Sequence, residues 1–324
     1  MPADVNLTGR RTICVVSPCY NEAAGIRAFH AALKALLTAL PDLDHRIVLI
    51  DDGSSDSTLA TLDSLAAEDA CVRVYALSRN FGHQVALTAG IDVARGDCVV
   101  LMDSDLQHPP SLIPELVARW RAGADVVSAV RSRTADAGLF KRASAALFYA
   151  FLNSISETRI VPGAADFVLL SARAHAALLA MPERHRFLRG MVSWIGFHRE
   201  FVPYQAAARG AGASSYTLAR MLRLGADALF SFSTAPVRLA TRLGIAVAAC
   251  GLLYLAYILY SLFAHPDTIV PGWSSLIVVV LILSGVQILF TGLIGEYVAR
   301  IFEETKARPL YFFKQRPGDE TVRP

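Results

Sequence analysis

The amino-acid sequence predicts a doubly wound, mostly parallel α/β sheet followed by an interfacial helix and two membrane-spanning helices. Three observations carry that expectation. Before about residue 210, short continuous apolar runs alternate with segments of helical period, the βαβ pattern of a sheet covered on both faces. Residues 243–266 and 268–295 contain no Asp, Glu, Lys or Arg, and each stretch exceeds the roughly 20 residues that a helix needs to cross the hydrocarbon core. The chain of 324 residues is 54% hydrophobic and only 18% charged, too apolar for an average water-soluble enzyme or a disordered chain.

The elements follow in order. TICVVS (12–17), RIVLI (46–50), VRVYA (72–76), CVVLM (98–102) and DVVSAV (125–130) read as strands buried on both faces. Between them, residues 22–40, 56–68, 83–94 and 109–123 place apolar side chains at helical spacing. Ligands of such sheets bind beyond the carboxyl ends of the strands. Those ends carry SPCYNE, DDGSSDST, SRNFGHQ and DSDLQHPP, so polar, acid-rich segments converge on one edge. None is a glycine-rich phosphate turn, which argues against a dinucleotide-binding domain or a P-loop.

The flanks of the apolar stretches set an orientation. Arg209, Arg220, Arg223, Arg238 and Arg242 precede them against a single acid, Asp227, and the residues after Ala299 are again basic. The connecting loop lacks Lys and Arg, so the positive-inside rule places it outside and both chain ends in the cytosol. SYTLARMLRLGADALFSFS (215–233) interleaves Leu and Met with Arg220 and Arg223, the pattern of a helix lying on an anionic leaflet. The amino-terminal apolar run is too short for a signal peptide. A net charge of +3 without a Lys/Arg block argues against nucleic acid as a partner, and five scattered cysteines argue against a disulfide framework or a zinc site.

Two acidic motifs carry chemistry. In an extended segment, alternate side chains share a side, so Asp103, Asp105 and Gln107 of MDSDLQ would present three oxygens together. Hard oxygen ligands suit Mg²⁺ or Mn²⁺ with positions left for phosphate oxygens. The same residues serve equally to turn the chain and cap the helix that PPSLIPEL begins. In DDGSSDST, Asp56 or Ser57 caps a helix, while the adjacent Asp51 and Asp52 exceed what capping needs and suit the hydroxyls or base N–H of a nucleotide.

Taken together, VVSPCYNE, DDGSSDST, NFGHQVALTAG, DSDLQHPP, ADFVLLS, RFLRGMVSWIGF, the two apolar stretches and GEYVARIFEETKARPLYF stand in the order found in family 2 glycosyltransferases. From about Thr12 to Phe312 the chain resembles the polyprenyl-phosphate glycosyltransferases, the group of bacterial glucosyl and aminoarabinosyl transferases and dolichyl-phosphate mannose synthases. The resemblance implies a nucleotide-sugar-binding, GT-A-like domain over 1–208, an interfacial region over 209–235, two transmembrane helices over 236–298 and a cytosolic basic tail over 299–324. It implies a multi-pass protein of the bacterial inner membrane, homo-oligomeric, with a tetramer as the related form. It assigns Pro18, Tyr20, Glu22, Asp51 and Asp52, with Asp103, to the nucleotide, and Asp103, Asp105 and Gln107 to a Mg²⁺ or Mn²⁺ ion and the diphosphate. Arg131 would face phosphates and Asp166 would stand near the reacting sugar, making Asp105, Asp166 and Arg131 the catalytic set.

The implied reaction is inverting transfer of a hexosyl group, glucose as the best guess, from UDP-sugar to undecaprenyl phosphate. One departure stands out. RGAGASSY resembles an element that ends in Ser-Lys-Tyr in the family, and here Ser215 replaces the lysine, so capture of the acceptor phosphate falls to Arg209 and Arg131. Other readings are a processive polysaccharide synthase, an inactive membrane-bound nucleotide-sugar-binding protein and a two-helix transporter. VARW at 117–120 lacks the Gln of the synthase motif Gln-x-x-Arg-Trp, and neither apolar stretch holds the charge an ion pathway needs.

Overall fold

The computed structural model describes residues 10–131, 164–204 except 185, 235–264 and 272–314. They fall into two compact units. One contains the described residues up to 204 together with 308–314, and the other contains the two long helices.

The first unit is built on a seven-stranded sheet of order β3-β2-β1-β4-β6-β5-β7. The strands are β1 (Arg11–Cys19), β2 (Leu43–Asp51), β3 (Val72–Ala76), β4 (Cys98–Leu101), β5 (Val126–Arg131), β6 (Ala164–Ser171) and β7 (Arg199–Tyr204). β1 pairs in parallel with β2 and β4, β2 with β3, and β5 with β7. β6 alone is reversed, antiparallel to both β4 and β5. That reversal brings the start of β6 to the edge where all the other strands end. The site therefore draws side chains from strand ends and from one strand beginning.

Helices cover both faces, as the doubly wound reading requires. α1 (Ile26–Thr38), α2 (Thr58–Glu68) and α4 (Ile113–Arg121) bury Phe29, Leu33, Leu62, Leu116 and Val117 in one cluster with Ile13, Val15, Leu49 and Val100. Their apolar residues recur at helical spacing while those of the strands alternate. α3 (His83–Val93) packs on the opposite face against β1 and β2. A Cβ on Gly90 would stand 2.2 Å from Val16 Cγ1, so only glycine lets this helix approach so closely. α5 (Ala172–Leu179) and α6 (Leu188–Trp194) follow β6. The thiols of Cys14, Cys19 and Cys98 are free and buried in this core, Cys71 is half-buried, and Cys250 of the other unit is exposed.

The second unit contains α7 (Ala235–Ala264) and α8 (Trp273–Thr305). The described parts of both apolar stretches thus form helices, the second running past the expected end at 298. Among the described residues one segment, Leu283–Thr305, with mean hydropathy 1.2, is long and apolar enough to cross a membrane. Arg209, Ser215 and the expected interfacial helix lie outside the described residues.

After α8 the chain rejoins the first unit. Phe313 bridges Leu77 in antiparallel fashion, Ser78 N donates to Phe312 O (2.8 Å) and Lys314 N donates to Ala76 O (2.7 Å). The apolar LYFF of the expected basic tail extends the sheet at its β3 edge.

Candidate active site

The site grows from three loops at the carboxyl edge of β1, β2 and β4, beside the point where the chain reverses its winding direction. The loop after β1 and the loop after β2 are sewn together. Asn21, with φ +55°, donates its N–H to Ser54 Oγ (3.0 Å) and accepts from Ser55 N (2.9 Å) through Oδ1, while Glu22 N donates to Thr58 Oγ1 (2.8 Å). Asp56, just before the N-cap residue Ser57, accepts from Thr58 N (2.9 Å) at the start of α2, while Ser57 itself makes no side-chain cap.

The two adjacent acids separate in role. Asp51, 2% exposed, accepts from Ser54 N at 3.3 Å and closes its own turn. Asp52, 3% exposed, accepts from Phe81 N (2.8 Å) and Gly82 N (3.0 Å) and so anchors the loop before α3. Gly53 makes that approach possible: at φ +68° its missing Cβ would lie 2.4 Å from the Arg79 carbonyl carbon.

The third loop departs from its expected geometry. Residues 103–107 are not extended, because Leu106 adopts φ +59° and the chain turns. Asp103, Asp105 and Gln107 are brought together by that turn and not by strand alternation. Gln107 Nε2 donates to Asp105 Oδ2 (2.7 Å) and Gln107 N to Asp105 Oδ1 (3.0 Å), so Gln107 orients Asp105. Ser104 Oγ ties the turn to Pro18 O (3.0 Å). Asp103 N donates to Nδ1 of buried His108 (3.0 Å), whose ring stacks on Phe167 at 5.3 Å.

Between these loops lies a cavity of about 380 Å³ whose lining includes Pro18, Tyr20, Glu22, Asp52, Asp103 and Asp105. Six of the expected nucleotide and metal residues therefore face one space; Asp51 and Gln107 are not among its lining. The lining is crowded with carboxylates. Burial, then the charges of Asp105, Asp56 and Asp103, raises the pKa of Glu22. Burial raises Asp103 as well, with His108 and His83 opposing. Oδ1 of Asp103 is buried and accepts no hydrogen bond, the nearest cation being His83 Nε2 at 3.4 Å. A buried carboxylate oxygen without a donor is costly, and a bound divalent cation would satisfy it. Among the described residues no three His, Cys, Asp or Glu side chains form a preassembled cage, so two aspartates would bind the ion jointly with oxygens of a ligand.

A second centre adjoins the first. Asp166, near the start of β6, is 8% exposed and receives a two-pronged contact from Arg189 of α6, Nε to Oδ1 at 2.7 Å and Nη2 to Oδ2 at 3.0 Å. Gln84 Nε2 donates to Asp166 Oδ2 (3.3 Å), Gln84 Oε1 accepts from Leu188 N (3.2 Å), and His83 Nε2 lies 3.6 Å from Oδ2. Burial alone would raise this carboxyl, yet His83 and Arg189 hold it well below the usual carboxylate range. His83, lowered by burial but raised by Asp166 and Asp103, ends above its ordinary value and joins the two centres. Arg131 is exposed at the end of β5, opposite Tyr204 in register.

His83, Gln84 and Arg189 were not singled out in the sequence. The first two sit in the polar segment after the third strand, NFGHQ, and Arg189 in RFLRGMVSWIGF; only the fold shows that they meet Asp166.

Residues 14–174 match the glycosyl transferase family 2, and residues 235–301 match the GtrB C-terminal hairpin. The uncharacterized glycosyltransferase YkcC of Bacillus subtilis is 38% identical over 309 residues, 95% of each chain. The bactoprenol glucosyl transferase of Shigella phage SfX is 38% identical over 306 residues, 94% of this chain and 99% of its own. Among solved structures, the Pyrobaculum calidifontis mannosyltransferase PcManGT, in complex with GDP-Man and Mn²⁺, superimposes over 93% of this chain and 89% of its own with a TM-score of 0.50 and 16% identity. That likeness speaks to the fold.

Proposed function

The chain belongs to glycosyltransferase family 2, and from that premise we propose that it transfers a glucosyl group from UDP-glucose to undecaprenyl phosphate with inversion at the anomeric carbon. The observation that carries this reading is the carboxylate-lined cavity with its unsatisfied Asp103 Oδ1, where an anionic diphosphate binds only together with a cation. Asp103 and Asp105 would hold Mg²⁺ or Mn²⁺, with Gln107 fixing Asp105 and supplying a further oxygen. The ion, when bound, offsets charge that develops on the departing diphosphate.

The remaining groups are the protein's own. Pro18, Tyr20, Glu22 and Asp52, which line the cavity, would bind the base and ribose, with Asp51 closing the turn beside Asp52. Asp166 stays ionised in the grip of Arg189 and Gln84, so its task is to orient the sugar and His83 and not to remove a proton. No base is required, because an acceptor phosphate is already anionic near neutral pH. Arg131, with Arg209 and Ser215, would meet that phosphate.

An acceptor on a polyprenyl chain lies in a leaflet, so the sugar-nucleotide site needs a membrane anchor. We assign that role to the hairpin of α7 and α8, as two crossings within 236–298, preceded by an interfacial region over 209–235 and followed by a cytosolic tail. Outward-facing Leu253, Tyr254, Ile288 and Ile294, each more than half exposed, suit lipid better than water. Residues 308–314 return to the sheet of the unit that precedes the hairpin, which supports an even number of crossings and one compartment, the cytosol, for both chain ends. A homo-oligomer is the expected assembly.

The test is transfer itself. Purified full-length protein is given a panel of radiolabelled nucleotide sugars, undecaprenyl phosphate and Mn²⁺, and label extracted into organic solvent is counted. Label from UDP-glucose above all other donors is expected. Free glucose without lipid product would defeat the assignment.

A further inference from the structure

The closing motif ARPLYF has no part in the reaction so far, yet its end is built into the donor side of the molecule. Three contacts locate it. Phe312 O accepts from Ser78 N (2.8 Å), at the start of the loop that leads into α3. Lys314 N donates to Ala76 O (2.7 Å), two residues earlier at the end of β3. Tyr311 Oη donates to Asp92 Oδ2 (2.8 Å), at the far end of α3. Ring contacts reinforce them: Phe313 lies 5.4 Å from Tyr75 and 5.1 Å from Tyr311. The segment thus grips the stretch 78–93 at both ends.

What lies between those grips is the part of the cavity that the sheet itself does not fix. Asn80, Gly82 and His83 line the cavity, and Gln84 reaches Asp166. The Asp52 carboxylate and the close passage over Gly53 also hold the loop. We propose that Tyr311–Lys314 is a positioning strap for donor binding: it completes the β3 edge and fixes the loop and the first turn of α3 where the sugar nucleotide is held. These are positioning residues, since none lines the cavity. The idea rests on the cavity being the donor site.

Two variants of the full-length protein test it. Tyr311→Phe keeps the ring and loses the bond to Asp92, and Lys314→Pro removes the N–H that Ala76 O accepts. Each loses one hydrogen bond, so a rise of about three- to tenfold is expected in the UDP dissociation constant with Mn²⁺ and in the donor KM. The acceptor KM should stay at its wild-type value. A strap that merely stabilised the fold would lower the melting temperature and leave UDP affinity intact at a temperature well below the melt, and that result overturns the proposal. So does an equal rise in donor and acceptor KM. If Lys314→Pro does not fold, Tyr311→Phe decides alone. Wild-type protein that binds no UDP removes the donor reading and the strap's role with it, whereas wild-type binding with both variants unchanged removes the strap alone.

Discussion

Two carboxylates stand at the same edge of the sheet in opposite circumstances. Asp103, after β4, has an oxygen that accepts nothing, and burial, with the charges of Asp166 and Asp105, raises its pKa against His108 and His83. Asp166, at the start of β6, has both oxygens engaged by Arg189 and a further bond from Gln84. The difference separates a group with an oxygen open to a cation from a group whose two oxygens are already held by an arginine of the fold. A carboxylate left unsatisfied inside a protein costs stability, and such a cost persists where a ligand removes it. Under the proposed function, Asp103 and Asp105 would form the binding side of the site and Asp166 its frame.

The largest effect should come from the unsatisfied side. Asp105→Asn is expected to lower turnover by about 10² to 10³, as for loss of one strong transition-state electrostatic group, and excess EDTA should abolish transfer by the wild type. Full activity in either case would dissolve the comparison. Stability should sort the two centres the other way. Asp166→Asn removes the carboxylate that receives Arg189 and Gln84 and should cost about 2 kcal/mol, a melting shift of roughly 5 °C. Asp103→Asn thins a crowd of carboxylates and should leave the melt unchanged or raise it. Equal losses in thermal scans of the metal-free variants would show that both groups are structural.

Acceptor capture gives a finer test. Arg209→Ala should raise the acceptor KM several-fold and leave UDP affinity unchanged, because a charge-assisted contact is roughly twice as strong as a neutral one. Weakened UDP binding would move Arg209 to the donor side. The smallest effect concerns a third carboxylate, paired and remote from the cavity. Burial tends to raise Asp69, but Lys34, the Cys71 N–H and His30 bring it down to about 2. Its folded pKa is thus below the ordinary value of about 3.9. Its contribution is therefore complete above about pH 4 and lost as pH falls towards 2. Denaturant midpoints across that window should fall less steeply in Asp69→Asn than in the wild type.

Much of this was written locally in the chain. The five predicted strands coincide with β1 to β5, because strands buried on both faces are continuous apolar runs, and helical spacing located α1 to α4. β7 escaped notice because Arg199, Glu200 and Pro203 interrupt its apolar pattern, as befits an edge strand. The reversal of β6 leaves no local mark, since pairing direction is a property of its neighbours. At the site, acids adjacent in sequence were legible as motifs, while the partners of Asp166 come from residues 84 and 189 and meet only through the fold. The extended geometry expected for 103–107 failed for a local reason, the left-handed turn at Leu106.

The buried cysteines open a practical route to the membrane question. Burial pushes the thiol of Cys14 up to about 11 and those of Cys19 and Cys98 up to about 12. Maleimides react with the thiolate, so at neutral pH these three positions are chemically silent in the folded protein. Replacing Cys71 and Cys250 alone would then give a background on which a single introduced thiol reports its own side of the bilayer. On that background a cysteine at Ser274 should react with an impermeant reagent added to intact cells, and one at Arg308 only after the cells are opened. Reaction of both in intact cells would place the tail outside. The packing that seals the sheet thus lets the molecule's orientation be read by simple alkylation chemistry.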